Sequence, residues 1–206
     1  MAGKAPVIPN AVTLDRVMAE IQDGLVQELP WLDVAFGRSQ KLTKVIENKR
    51  YVVPNVYCGG WNGHGYNDYI EVTPDSKIGN YSFFDIDDPQ TLVGEVWGRD
   101  LKAPFSLIFW FDLRTIYHQN DNRNIEKVKA DILKVLNGRT SWHLPIGRIT
   151  INKIYEKAEN VYRGYTLYTR ELNKGLSIPE ENNQYMMHPY CALRFEGTMQ
   201  VPELCE

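Results

Sequence analysis

The chain has 206 residues, of which 43% are apolar and 24% charged, with a formal net charge of -3. That length and balance suit one domain with a sizeable core, and the acidic balance excludes a generally basic surface for gripping nucleic acid. Three cysteines, Cys58, Cys191 and Cys205, exclude a fully paired disulfide framework and fit a reducing compartment.

The opening residues, MAGKAPVIPNAV, hold no apolar signal core. The longest apolar run, LIFWF at 107–111, is too short to cross a bilayer. Synthesis in a cytoplasm without membrane insertion is expected, which leaves the Asn80-Tyr81-Ser82 sequon without consequence.

In chain order, residues 13–29 give the first helix. Leu14, Val17, Met18, Ile21, Leu25 and Leu29 share one face, Thr13 suits the cap, and Pro30 ends the run. A β-rich half follows, with strands expected at 41–47, 50–57, 68–74 and 81–87. Pro54 assigns the second of these to an edge or a bulge. The strongest strand is PFSLIFWFDLRTIY, 104–117, apolar on both faces and therefore central. A second helix is expected over 124–138, with Asn124 as cap and Gly138 just past its end. Strands at 147–156, 160–172 and 190–201 complete the chain, the first two joined by a short turn at KAEN. The fold class is α+β: an antiparallel or mixed sheet flanked by two main helices, with long loop or hairpin excursions. One domain spans 1–206, and 57–102 reads as an extended hairpin or loop insertion within it.

The segment YCGGWNGHGYNDY, 57–69, sets Cys58, His64 and Asp68 among glycines. A cysteine nucleophile needs an oriented base, and a Gly-rich loop holds such geometry poorly. Cys58, His64, His188 and Cys191 are the candidate metal ligands. Their spacing lacks the tight knuckle of a structural zinc site, and Cys191 alternates with Leu193 and Phe195 as a core residue would. In DIDD, Asp85 and Asp87 point the same way on a strand, yet the run lacks the Gly and Glu of a calcium loop and reads as a solvated turn. Phosphate-loop, dinucleotide-binding and hydrolase motifs are missing. No catalytic residue, metal or cofactor is therefore assigned. A soluble metal-assisted hydrolase, built on those Cys and His residues or on the acidic pair, is the alternative.

The positive signal is aromatic. Trp61, His64, Tyr66, Tyr69 and Trp97 lie in one polar, Gly-rich excursion and its flanks, and Tyr185, Met186 and Met187 in another. Large amphipathic side chains in weakly charged loops suit protein contacts, so these eight are the predicted interface residues. The order of elements resembles tail-terminator and tail-completion proteins of tailed bacteriophages. There, a helix like TLDRVMAEIQDGLVQELPWL precedes a sheet, and a strand like PFSLIFWFDLR leads to a helix like NIEKVKADILKVLNG. Closing strands like GRITINKIYE and YCALRFEGTMQV follow. The long 57–102 segment departs from the smaller members. The resemblance implies a non-enzymatic virion structural protein, assembled in the host cytoplasm into a homo-oligomeric ring or connector of the phage neck or tail. Its partners would be copies of itself and neighbouring neck, portal or tail proteins, with passive passage of DNA and no membrane.

Overall fold

A computed structural model describes residues 3–59, 68–74, 78–94, 99–117, 124–140, 148–167 and 189–202. The fold is α+β. Helix α1 is Thr13–Glu28, followed by strands β1 (Val34–Ile46), β2 (Lys49–Tyr57), β3 (Tyr69–Glu71), β4 (Tyr81–Ile86), β5 (Thr91–Val93) and β6 (Asp100–Asp112). Then come α2 (Leu113–Ile116), α3 (Ile125–Thr140), β7 (Arg148–Tyr155), α4 (Ala158–Val161) and β8 (Tyr190–Pro202). The strands form one sheet in the order β3-β2-β1-β4-β6-β8-β7, with β5 alongside β6. Among the described strands, β1 and β4 run parallel and the other pairs are antiparallel. The sheet is therefore mixed.

All six stripe residues predicted for α1 are buried. Each such side chain contributes roughly 1.5–3 kcal/mol when fully withdrawn from water. They pack with Val128, Ile132, Val135 and Leu136 of α3 on one face of the sheet, against Phe105, Leu107, Phe109 and Phe111 of β6 and Leu193 and Phe195 of β8. The opposite face carries a second cluster, including Phe36, Tyr81, Phe83, Ile108 and Trp110, covered by Val161, Tyr162, Tyr165 and Leu167. With both faces covered, β6 is apolar on alternate residues of each, as its sequence predicts.

Strand β6 pairs with β8 from Asp100↔Pro202 to Asp112↔Tyr190. On its second face three cross-strand rows form a gradient. Tyr81, Trp110 and Ala192 make one row, Phe83, Ile108 and Arg194 the next, and Asp85, Ser106 and Glu196 the third. The sheet face thus passes from aromatic to charged within three rows. At the aromatic end, Trp110 stacks between Tyr81 (5.6 Å) and Tyr190 (5.4 Å), and Arg114 caps Tyr190 at 5.0 Å.

Several expectations change. The cap of α1 is Val12, with no side-chain hydrogen bond, and Thr13 is the first helical residue at φ 46°. The Val12 carbonyl accepts from the Asp15 amide at 3.0 Å instead. Strand β1 starts at Val34 rather than Lys41, because a bulge between Ala35 and Arg38 breaks the period-two pattern. The end of the 104–117 run turns into α2, where Asp112 Oδ1 accepts from the Arg114 amide at 2.9 Å. Asn124 does cap α3, accepting from the Glu126 amide at 3.0 Å, but the helix continues through Gly138 to Thr140. The strand expected over 160–172 is replaced, across its described residues, by the end of α4 and a turn. Lys157 precedes that helix, and Gly164 at φ 86° reverses the chain after Tyr162. The Tyr165 amide then donates to the Tyr162 carbonyl at 2.9 Å, and only Thr166 bridges to a strand, at Val52. Alternating tyrosines mimicked a strand there, while the glycine fixed a turn. The 57–102 stretch also contains β4, which lies between β1 and β6 in the middle of the sheet.

Candidate functional site

Strands β1 and β4 run side by side only as far as Arg38↔Phe84. From Ser39 onward β1 pairs with β2 instead, out to Ile46↔Lys49. The two strands therefore part at their C-terminal ends. A cleft of about 620 Å³ opens in the fork, lined by Arg38, Ser39, Gln40 and Lys41 of β1 and by Asp85 and Ile86 of β4. Asp15 of α1, Tyr69 of β3, Ile8 and Asp88 complete the wall.

Asp85 is the most constrained of these side chains. It is buried, and Lys41 Nζ lies 3.6 Å from its Oδ2. Tyr165 reaches it by a hydrogen bond, and the Tyr165 and Ser39 hydroxyls are 3.0 Å apart. Burial raises the Asp85 carboxyl above the ordinary aspartate range, and nearby Asp87 adds to that. The Lys41 and Arg194 charges oppose the shift without cancelling it. Burial likewise pushes the Tyr165 hydroxyl up. Asp15 is also raised by burial, against the pull of Arg38.

Arg194 anchors the charged end of the sheet from beneath. Its side chain is almost wholly buried. Its Nε donates to Glu196 at 2.8 Å, and its Nη1 reaches the Val161 and Arg163 carbonyls at 3.3 and 3.4 Å. Nη2 stands 3.7 Å from Asp87 Oδ2, and the Ser106 hydroxyl reaches the same oxygen at 3.4 Å. A buried guanidinium so fully engaged fixes neighbouring carboxylates in place. The acidic run DIDD is therefore no simple solvated turn: Asp87 lies against the buried Arg194, and the buried Asp85 lies beside Lys41 at the cleft.

Of the eight predicted interface residues, Tyr69 alone falls among the described residues. It is exposed on β3, makes an edge contact with Tyr57 at 5.6 Å, and lines the cleft. Trp61, His64, Tyr66, Trp97, Tyr185, Met186 and Met187 lie outside the described residues, as do His188 and Cys205. Cys58 and Cys191 pack into different apolar clusters on opposite faces of the sheet. Cys58 is buried beside Val56 and Val72, with its amide donating to the Asp68 carbonyl at 2.7 Å. Burial pushes the Cys191 thiol up to about 11, so it stays protonated at neutral pH and is a weak nucleophile. Among the described residues, no group of three His, Cys, Asp or Glu side chains could hold a metal ion. No described helix is long and apolar enough to cross a membrane.

Sequence reasoning missed Asp15, Arg38, Lys41, Tyr165 and Arg194. One signal was present for Arg194 and Asp85: each is a charge inside an apolar strand, in ALRFEG and SFFDID. No family model matches the chain, and no curated protein is similar to it.

Proposed function

We propose that this chain is a structural protein that assembles with copies of itself into a ring in the neck or tail of a phage particle. The observation that carries the reading is the placement of its exposed apolar residues. Val7, Val12, Val45, Tyr69 and Leu92 are the exposed large apolar side chains of the described residues. Each is a cleft residue or lies within four positions of one: Ile8, Asp15, Lys41, Tyr69 and Asp88 respectively.

The β1–β2 hairpin carries the most exposed of these side chains. Glu47 and Asn48, at φ 51° and 63°, make a tight turn matched to twisted strands. Beside the turn, Val45 is 71% exposed. A two-stranded ribbon is marginal in water on its own, and a bare valine near its tip fits a partner surface. Exposed apolar groups among polar ones resemble the mixed core and rim of a protein interface. The resemblance of the sequence's element order to tail-terminator and tail-completion proteins supports a closed ring as the form of assembly.

Light scattering after size exclusion, with negative-stain imaging, tests the reading. A ring of several copies is the expected result. A strict monomer at tens of micromolar, absent from purified particles, overturns it.

A further inference from the structure

The cleft between β1 and β4 contains hydrogen-bond acceptors that the described chain leaves unused. Asp85 Oδ2 and Asp15 Oδ1 are both buried and lack a hydrogen-bond partner. The Asp85 side chain is only 5% exposed, and Lys41 Nζ, at 3.6 Å, is beyond hydrogen-bond reach, with 46% of its own side chain in solvent. The opening beside them, about 620 Å³, far exceeds the ~30 Å³ share of a single water. It falls within the ~300–1,000 Å³ of small-ligand clefts.

We infer that this cleft binds an organic cation, a guanidinium or a primary ammonium, whose N–H groups donate to Asp85 and Asp15. Both unused atoms are carboxylate oxygens, so the missing partner is a donor. The lining carries three carboxylates (Asp15, Asp85, Asp88) against two cations (Arg38, Lys41), a surplus of one negative charge. That disfavours an anion. A bare divalent ion lacks the three-residue coordinating group it needs among the described residues. A guanidinium or a primary ammonium brings its own N–H donors, and a guanidinium also spreads its charge over them. Ile8, Ile86 and Tyr69 supply apolar wall for the carbon skeleton. The inference stands independently of ring assembly.

Charged and titratable neighbours set its pH response. Lys41, Asp87, Arg194 and Tyr165 face Asp85, and Arg38 faces Asp15. A bound cation favours the ionised carboxylates, so binding weakens as pH falls through their raised range and releases protons as it occurs.

Methylguanidine and methylammonium, titrated into the full chain, are the probes. Calorimetry reads binding, and carboxyl-carbon NMR reads Asp85. Saturable binding of either probe is expected, with the Asp85 carboxyl titrating at lower pH when the probe is bound. Affinity should fall at least ~10-fold in Asp85→Asn, the ~1.4 kcal/mol of one lost charge-assisted hydrogen bond, and fall also in Asp15→Asn. The probe titration of the unaltered chain needs no variant to fold. No saturable response to either probe, unchanged affinity in Asp85→Asn, or preferential binding of magnesium or phosphate at the same carbons would overturn the inference. Light scattering in the same samples separates the sources of the cation. If the natural occupant is a basic side chain of a second copy, saturating methylguanidine lowers the assembled mass. If it is a free small molecule, the mass is unchanged while the probe binds.

Discussion

Gln22 of α1 and Ala35 of β1 are joined by a 2.7 Å hydrogen bond from the side-chain amide to the backbone carbonyl. The same Nε2 also donates to the Pro6 carbonyl at 2.9 Å. Gln22 is buried in the apolar stripe of its helix, between Ile21 and Leu25. It holds the N-terminal segment and the start of the β1 bulge to the helix at once. Gln22→Leu would extend the apolar stripe, and sequence pattern alone favours it. The structure predicts the reverse. The Ala35 carbonyl would lose its donor in a buried site, at about 1–3 kcal/mol, and the half-buried Pro6 carbonyl would lose one too. Urea unfolding should show a loss of about 2 kcal/mol or more, and an unchanged midpoint would refute the bridging role.

Gly197 of β8 and Thr150 of β7 set a second limit. A Cβ on Gly197 would sit 2.0 Å from the Thr150 carbonyl oxygen, a backbone atom that cannot swing away. The two strands are paired here, next to the β7 bulge between Ile151 and Lys153. Gly197→Ala must push β7 outward and strain several ladder bonds. Overpacking of this kind costs typically ~1–3 kcal/mol. Hydrogen exchange should speed up selectively at the β7 amides. Uniform exchange across the sheet would refute the local clash.

The core was legible because it is periodic. Leu14 through Leu29 repeat at helical spacing, and Phe105 through Phe111 alternate, so both buried faces could be read directly. What failed were places where one residue overrides a pattern. Gly164 converts the alternation of VYRGYTL to a turn, and the bulge between Ala35 and Arg38 hides the first half of β1. The cleft was illegible for a different reason. Asp15, Lys41 and Asp85 are far apart in sequence and meet only because β1 leaves β4 for β2. Asn80 illustrates the same point. Its amide donates to the Trp31 carbonyl and Thr115 hydroxyl, at 2.7 and 2.8 Å, and its oxygen accepts from the Asp112 amide at 2.8 Å. The sequon asparagine is a buried strut joining three segments, a role no local pattern announces.

If assembly uses the exposed apolar side chains, charge placed on them should block it without unfolding the chain. Val45 and Leu92 are exposed, at 71% and 54%, so replacing them removes little burial. Exposed substitutions usually change stability by less than ~0.5 kcal/mol. Val45→Glu with Leu92→Glu should therefore leave the unfolding midpoint nearly fixed and shift the light-scattering mass toward monomer. An unchanged oligomer would place the contact elsewhere on the surface.

Asp85 makes stability depend on pH in an unusual direction. Its folded-state carboxyl is raised above the unfolded value by burial, where an unfolded aspartate titrates near ~3.9. Between those two values the folded chain binds more protons than the unfolded chain, so stability falls as pH rises. Above the folded value the cost of ionising a buried carboxyl is fully present. Asn keeps the shape and removes that cost, while giving up the attraction of Lys41 and Arg194. Because burial is the largest of these effects, Asp85→Asn should gain stability relative to the parent chain as pH rises. The difference in unfolding midpoint between the two proteins should be more favourable to the variant at pH 7.5 than at pH 3.5. Asp15, raised by the same cause, should behave likewise but less strongly, since it is only half-buried. Urea titrations at the two pH values decide the matter. A difference that is constant with pH, or that favours the parent chain increasingly at high pH, would mean that Lys41 and Arg194 outweigh burial and hold Asp85 as a firmly ionised partner.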